Sequence, residues 1–447
     1  MIRQFSRRAR ARRPLCALAL ASSMGLFVAC DGGRQAASGP EVRAEEPPVS
    51  VVTSPRSRLC APDNRGWEDF PALVGSMHQH SGFSDGEIGT TPADYFAAGR
   101  ELGLDFVAAA EHSDNLRLPL TVNGDCFSAQ LPQCLQLPTL QDPLGGILKW
   151  ERMAELADAA TDADFTAIRG FEWTSDRFGH MNVFFSRNEI NAKTTDGYVL
   201  SMEGFWLWFG LSPDLGGGND GLLVFNHPGR EDLIHSNIPD PGFTFNDFAL
   251  RPNAAPRVVG IEVFGKSGDA YDIDNGAPPE GWYAYALDKG WALGPVGAED
   301  EHGTRWAQPE RAKTVILAPS RARDDLRQAL QDRRFYALAQ NFNDIRLHFS
   351  ADGEPMGSAI ARPDGAAVVL RAAVTAPDNA QLEIVSNGGE VVATGAASAV
   401  LEHRISADPT ERWYYLRVIV DEQQPVAYSA PVWVVAGDPY PACAATQ

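Results

Sequence analysis

Residues 73–86 read Leu-Val-Gly-Ser-Met-His-Gln-His-Ser-Gly-Phe-Ser-Asp-Gly. The run 73–80 is short, largely apolar at its start and bounded by glycine and serine, the pattern of a β-strand. Side chains two apart on a strand share a face, so His78 and His80 point the same way and both imidazoles can reach one ion. Ser84-Asp85-Gly86 follows at once and brings a carboxylate within a few residues of the pair.

Working outward, the same texture recurs at 105–112, 165–173, 180–185, 221–227, 257–265 and 295–302. Helical spacing separates some of these runs. Thr91 stands as N-cap and Pro92 as first residue of an amphipathic stretch to Leu102, and 148–160 and 321–334 carry similar spacing. Strands alternating with helices predict a parallel, barrel-like α/β architecture, whose C-terminal strand ends converge on one mouth.

Those ends are where the chemistry-bearing residues fall. The second run closes on Glu111-His112-Ser113-Asp114 and the third on Gly170-Phe171-Glu172. The fourth opens with Gly179-His180-Met181-Asn182. Asn226-His227-Pro228, Glu262 and Glu299-Asp300-Glu301-His302 complete the series. A single histidine at a strand end is more often structural than a ligand. Here six of nine histidines (78, 80, 112, 180, 227 and 302) occupy such positions, and the count outweighs the single-residue expectation. His235, His348 and His403 read as surface or structural residues.

Beyond Phe342 the runs at 345–349, 367–374, 382–385, 391–394, 400–405, 414–420 and 427–435 are short and mostly rich in β-branched or aromatic residues. Turn signals such as Ala376-Pro377-Asp378-Asn379 and Asn387-Gly388-Gly389 separate them, predicting a small all-β sandwich. At the other end, six arginines precede the apolar stretch 15–29, a signal-peptide pattern too short to span a bilayer comfortably. Leu26-Phe27-Val28-Ala29-Cys30 resembles a bacterial lipobox, with Phe27 as a departure; ordinary cleavage leaving a soluble protein is the alternative. The expected organisation is therefore a signal at 1–29, a tether at 30–60 from lipidated Cys30, a catalytic domain at 61–340, a β domain at 341–437 and a tail at 438–447.

Export to the cell envelope gives a protein facing the periplasm or the outside, held to the membrane only by its lipid. Loss of the six arginines takes the net charge from −20 to −26, which argues against binding a nucleic-acid duplex. Cys60, Cys126, Cys134 and Cys443 remain, an even number in an oxidising compartment. Cys126–Cys134 and Cys60–Cys443 are the expected pairs, free buried thiols the alternative. Residues 115–146 follow a ligand-bearing strand end and are placed either to act as a lid or to form a passive surface insertion.

Taken in order, His78-x-His80, Ser84-Asp85-Gly86, Glu111-His112, Gly170-x-Glu172, His227-Pro228 and Asp300-x-His302 resemble the motifs of the polymerase and histidinol phosphatase (PHP) superfamily over 70–340. Gly179-His180-Met181-Asn182 and the β-rich tail resemble its carbaryl-hydrolase-like branch. Glu111 departs, since the superfamily usually has Asp there. The resemblance implies a distorted seven-stranded (β/α) barrel with two or three divalent metals. One would take His78, His80, Glu172 and Asp300; a second would share Glu172 and add His180 and His227; a third would take Asp85, His112 and His302. Imidazoles with carboxylates and no thiolate suit Zn, Mn or Fe. Glu172 and Asp300 form the expected catalytic set with Arg230 and Lys266, which could hold an anionic group of a small-molecule substrate. Arg305 is a similar candidate.

These residues predict hydrolysis by metal-activated water, and the resemblance implies phosphoesters as the leading substrates, whose phosphoryl group suits a multi-cation site. A carbamate, amide or carboxylic ester is the alternative bond. A surface lipoprotein with structural metals and no catalysis is the alternative of another class.

Overall fold

Apolar alternation becomes strand wherever both faces find a partner. The computed structural model describes residues 60–118, 120, 124, 147–194, 197–198, 200–230, 244–266, 268–420 and 424–440. The expected signal and lipid-anchor segment, most of residues 119–146, and Cys126, Cys134 and Cys443 lie outside them. Cys60 is disulfide-bonded. No helix among the described residues is long and apolar enough to cross a membrane.

The strands of the first part are β1 (Ala72–Ser76), β2 (Phe106–Ala108), β3 (Glu111–His112), β4 (Thr166–Ile168), β5 (Gly170–Ser175) and β6 (Gly179–Phe184). They continue with the short pair β7 (Lys193–Thr194) and β8 (Gly197–Tyr198), then β9 (Leu222–Phe225), β10 (Val258–Phe264), β11 (Gly294–Gly297), β12 (Lys313–Leu317) and β13 (Phe335–Leu338). Helices α1 (Pro92–Glu101), α2 (Lys149–Ala160), α3 (Met202–Gly210), α4 (Trp282–Asp288) and α5 (Arg323–Gln331) accompany them. Thr91 caps α1 as expected, its N–H donating to the Asp94 carboxylate at 2.7 Å. Helix α5 buries Leu326, Ala329 and Leu330, one face of its amphipathic turn.

The strands do not close a hydrogen-bonded ring of seven among the described residues. They form two sheets, one running β13-β12-β1-β2-β4 and the other β11-β10-β9-β6-β5-β3. The chain crosses to the second sheet between β2 and β3, back between β3 and β4, over again between β4 and β5, and back between β11 and β12. Two strands run against the parallel pattern. β6 returns from β5 through a turn of only three residues, too short for a crossover helix, so the pair is antiparallel. β12 likewise pairs antiparallel with β1. The fold is mixed α/β and richer in sheet than the expected barrel.

Leu73, Phe106, Ile168, Leu222, Val224, Val259, Val296 and Ile316 pack in one core with Leu326 and Leu330 of α5. Since β12 opposes β1, the helix that follows it closes the end away from His78. Close strand packing depends on missing side chains: a Cβ at Gly75 would lie 2.5 Å from the Phe106 ring.

Among the described residues from 346 onward, the regular structure is strand apart from one 3-10 turn, Asn387–Gly389. Glu354–Pro355, Arg346–Ala351, Ala367–Thr375 and Leu401–Ser406 form a four-stranded sheet. Leu347, Phe349, Val368 and Leu370 pack from it onto Leu382, Ile384, Leu416 and Val434 of a second sheet, a sandwich core. That second sheet is not separate. β13 pairs with the strand Gln424–Ser429, Tyr336 facing Ser429 and Leu338 facing Ala427, so one eleven-stranded sheet runs through both parts.

Candidate metal centre

Strand direction explains why residues two hundred positions apart meet. β1, β3, β5, β9, β10 and β11 all point toward one end, and β6 starts there because it runs the other way. His78 and His80 follow β1, His112 ends β3, Glu172 lies in β5, and His180 opens β6. His227 follows β9, and Asp300 and His302 follow β11. His78 and His80 lie past the end of β1 rather than on it, where Gln79 bridges in parallel to Glu301.

Glu172 is the hub. Its Oε1 lies 3.3 Å from His78 Nε2 and 3.2 Å from both His180 Nδ1 and His227 Nε2. Its Oε2 lies 3.2 Å from His112 Nε2 and 3.9 Å from His80 Nε2. Asp300 Oδ1 is 3.3 Å from His80 Nε2 and 3.6 Å from His78 Nε2. Asp85 joins His302 at 3.1 Å and His112 at 3.5 Å. Three groups offer donor atoms all within 4.8 Å of one another: His80, Asp85, His112 and His302; His78, His80 and Asp300; and His78, Glu172 and His227. His180 stands at the edge, its Nε2 turned to Asp176 at 3.4 Å.

Outer residues aim these donors. Glu262 accepts from His78 Nδ1–H at 2.7 Å and from the His227 backbone N–H at 2.9 Å, leaving His78 Nε2 to face the cluster. Asn226 donates to Glu172 Oε1 at 2.8 Å. Glu111 is not among the converging donors. It accepts from the Ser81 and Ser84 hydroxyls, each at 2.5 Å, and so pins the loop that presents Asp85.

The electrostatics fit cations. Burial resists charge on His78, but Glu262, Glu172 and Asp300 outweigh it and hold the imidazole well above its ordinary range, a negative field that a bound cation would satisfy in place of the proton on Nε2. Burial, with His302 and His112 close by, pushes His80 down to about 3, so it is neutral, the form that ligates. Against burial, the imidazoles of His180, His78 and His112 hold Glu172 well below the carboxylate range; His78 and His302 do the same for Asp300. Burial pushes Glu111 up to about 7 in spite of its serine hydroxyls.

Among the described residues His78 Nε2, His80 Nε2 and Asp85 Oδ1 are buried without a hydrogen-bond partner. Buried polar atoms of this kind need a partner, and a divalent ion supplies one. The donor set, imidazoles and carboxylates without thiolate, fits such ions. The backbone is strained at the same place: φ is +24° at His227, +21° at Lys266 and +45° at Asp300. Such conformations cost about 1–3 kcal/mol each and persist where the surroundings enforce them.

The two expected cations both reach the cluster. Arg230 Nη1 lies 2.9 Å and Lys266 Nζ 3.1 Å from Asp300 Oδ2. Arg305 does not; it is exposed and lies 3.7 Å from Glu310. The sequence shows Glu262 at a strand end and Asn226 beside His227 without marking a role for either, and Asp176 carries no signal in it.

No family model matches the chain, and no curated protein matches it. A solved structure from Bacteroides vulgatus, of a two-domain protein containing a predicted PHP-like metal-dependent phosphoesterase, is similar over 81% of this chain and 96% of that one, at 16% identity and a TM-score of 0.40. A likeness this slight says nothing about the chemistry of the present site.

Proposed function

We propose that the chain is a metal-dependent hydrolase acting on phosphoesters through two or three divalent ions. One observation carries the reading: a buried carboxylate, Glu172, stands against five imidazoles, with Asp300 and Asp85 completing the donor set around it. A lone structural ion needs only four ligands. His78, His80, Glu172, Asp300, His227 and the Asp85–His112–His302 group would hold the ions, with His180 beside Glu172. Ions there would supply Lewis acidity, lowering the pKa of water and offsetting charge on the attacked oxygen.

The chain's own part is orientation and charge. Glu262 holds His78 in one tautomer. Arg230 and Lys266 set two positive groups beside Asp300, where the non-bridging oxygens of a phosphoryl group would bind.

A second reading, hydrolysis of a carbamate, amide or carboxylic ester, is favoured by the engagement of both cations with Asp300 Oδ2, which leaves less charge for an anionic substrate. Turnover of phosphoesters, carboxylic esters and carbamates by the metal-replete protein separates the two. Phosphoester hydrolysis at a kcat/KM well above the others supports the first; turnover of neutral esters alone replaces it with the second. The proposal includes export and a lipid anchor at Cys30, carried by the pattern of residues 1–30. Incorporation of labelled palmitate that persists in Cys30→Ala would remove the anchor.

A further inference from the structure

Beside the metal-binding groups lies a cavity of about 430 Å³ lined by Arg230, Lys266, Asp269, Tyr271, Asp274 and Asn275. Two of these, Arg230 and Lys266, are the groups that touch Asp300. Tyr271 is the buried member, 3% exposed, and its ring centroid lies 5.9 Å from that of His227. The phenol is seated by the absence of a neighbour: a Cβ on Gly265 would collide with the Tyr271 ring and hydroxyl. Gly265 N–H in turn donates to the Asp269 carbonyl at 3.0 Å, closing the turn that carries Lys266.

The Tyr271 hydroxyl has no hydrogen-bond partner among the described residues and is covered from bulk water. Buried tyrosine hydroxyls usually find one. A phenol keeps its proton at neutral pH and so offers an O–H donor.

We propose that Tyr271 is a substrate-contacting residue whose hydroxyl donates a hydrogen bond to an oxygen of the phosphoryl group held by Arg230 and Lys266. This rests on the phosphoester reading. It adds a third, uncharged donor to the two cations and assigns the cavity as the phosphoryl subsite. The hydroxyl does not hold the described fold together, because no described residue accepts from it. Removing it should leave the free protein's stability unchanged.

Tyr271→Phe in the metal-loaded protein tests this, with inorganic phosphate as the probe in an equilibrium titration. The variant should bind phosphate about 10- to 100-fold more weakly and lose kcat/KM for phosphoesters by a similar factor. Its Tm without phosphate and its metal content should match wild type. Wild type that hydrolyses phosphoesters while the variant matches it in both readouts overturns the assignment and leaves the reaction standing. A variant with lowered Tm in the free protein shows a structural hydroxyl and also overturns it. If wild type binds phosphate, the variant loses that binding and neither cleaves a phosphoester, the subsite stands and the reaction class falls. Absence of phosphate binding by wild type removes the subsite.

Discussion

His78 Nδ1 stands 2.7 Å from Glu262 Oε1, and this one contact decides which nitrogen of the imidazole faces the cluster. Glu262 accepts twice, from His78 and from the His227 backbone N–H, so it aligns two elements that carry donors.

Glu262→Gln keeps the size but offers one acceptor in place of two. One of the two donors then meets an N–H, and metal affinity should fall about 10- to 100-fold. Chelator competition measures this. Affinity equal to wild type, with metal bound to the same stoichiometry, would show that Glu262 does not orient His78.

Glu172 and Asp85 differ sharply in accessibility within the cluster: the Glu172 side chain is 1% exposed and that of Asp85 27%. Glu172→Gln should strip metal from the interior and cost activity at least about a hundredfold, since it changes a direct donor rather than an outer partner. Asp85→Ala should lose only the outermost equivalent. Elemental analysis beside turnover decides it, and the reverse order of loss sinks the central role given to Glu172.

Arg230→Ala separates the two hydrolytic readings. Loss of one oriented donor should lower kcat/KM for phosphoesters about ten- to a thousandfold. A neutral ester brings no anion for Arg230 to bind and should suffer much less. Small, equal losses on both substrates would make Arg230 a partner of Asp300 only.

Asp272 gives a test by pH. The carboxyl is buried, accepts from Tyr283 N–H at 2.7 Å and Tyr428 O–H at 2.8 Å, and burial raises it above its ordinary value of 3.8. An acid raised in the folded state binds its proton more tightly there than when unfolded. Stability from this group is therefore full below 3.8 and is lost as pH rises through the folded value. Asp272→Asn removes that loss, so its Tm relative to wild type should climb between acid and neutral pH. Parallel Tm profiles for the two proteins would refute the shift.

What could be read in advance follows from how local the signal is. The donors His78, His112, Glu172, His227 and Asp300 were legible because a strand pattern and a metal-competent side chain coincide within a few residues. Their convergence followed from strand direction. The strands Lys313–Leu317 and Phe335–Leu338 escaped notice, being four or five residues long and without a ligand at either end. Glu262 lay in plain view, but its role depends on register: it sits in β10, next to β9, after which His227 follows, and no spacing in the chain encodes that. Tyr271 is further still from any pattern, because its importance lies in an empty position, the side chain that Gly265 lacks.

The pairing of β13 with Gln424–Ser429 has a consequence for how the molecule comes apart. A chain cut near residue 340 would leave β13 as an open sheet edge and strip Tyr428 from Asp272, a raw β margin ready to recruit other chains. The sandwich is thus no detachable accessory. The two parts should melt in one cooperative step, and an engineer wishing to exchange the C-terminal half must supply a replacement strand to seal that margin.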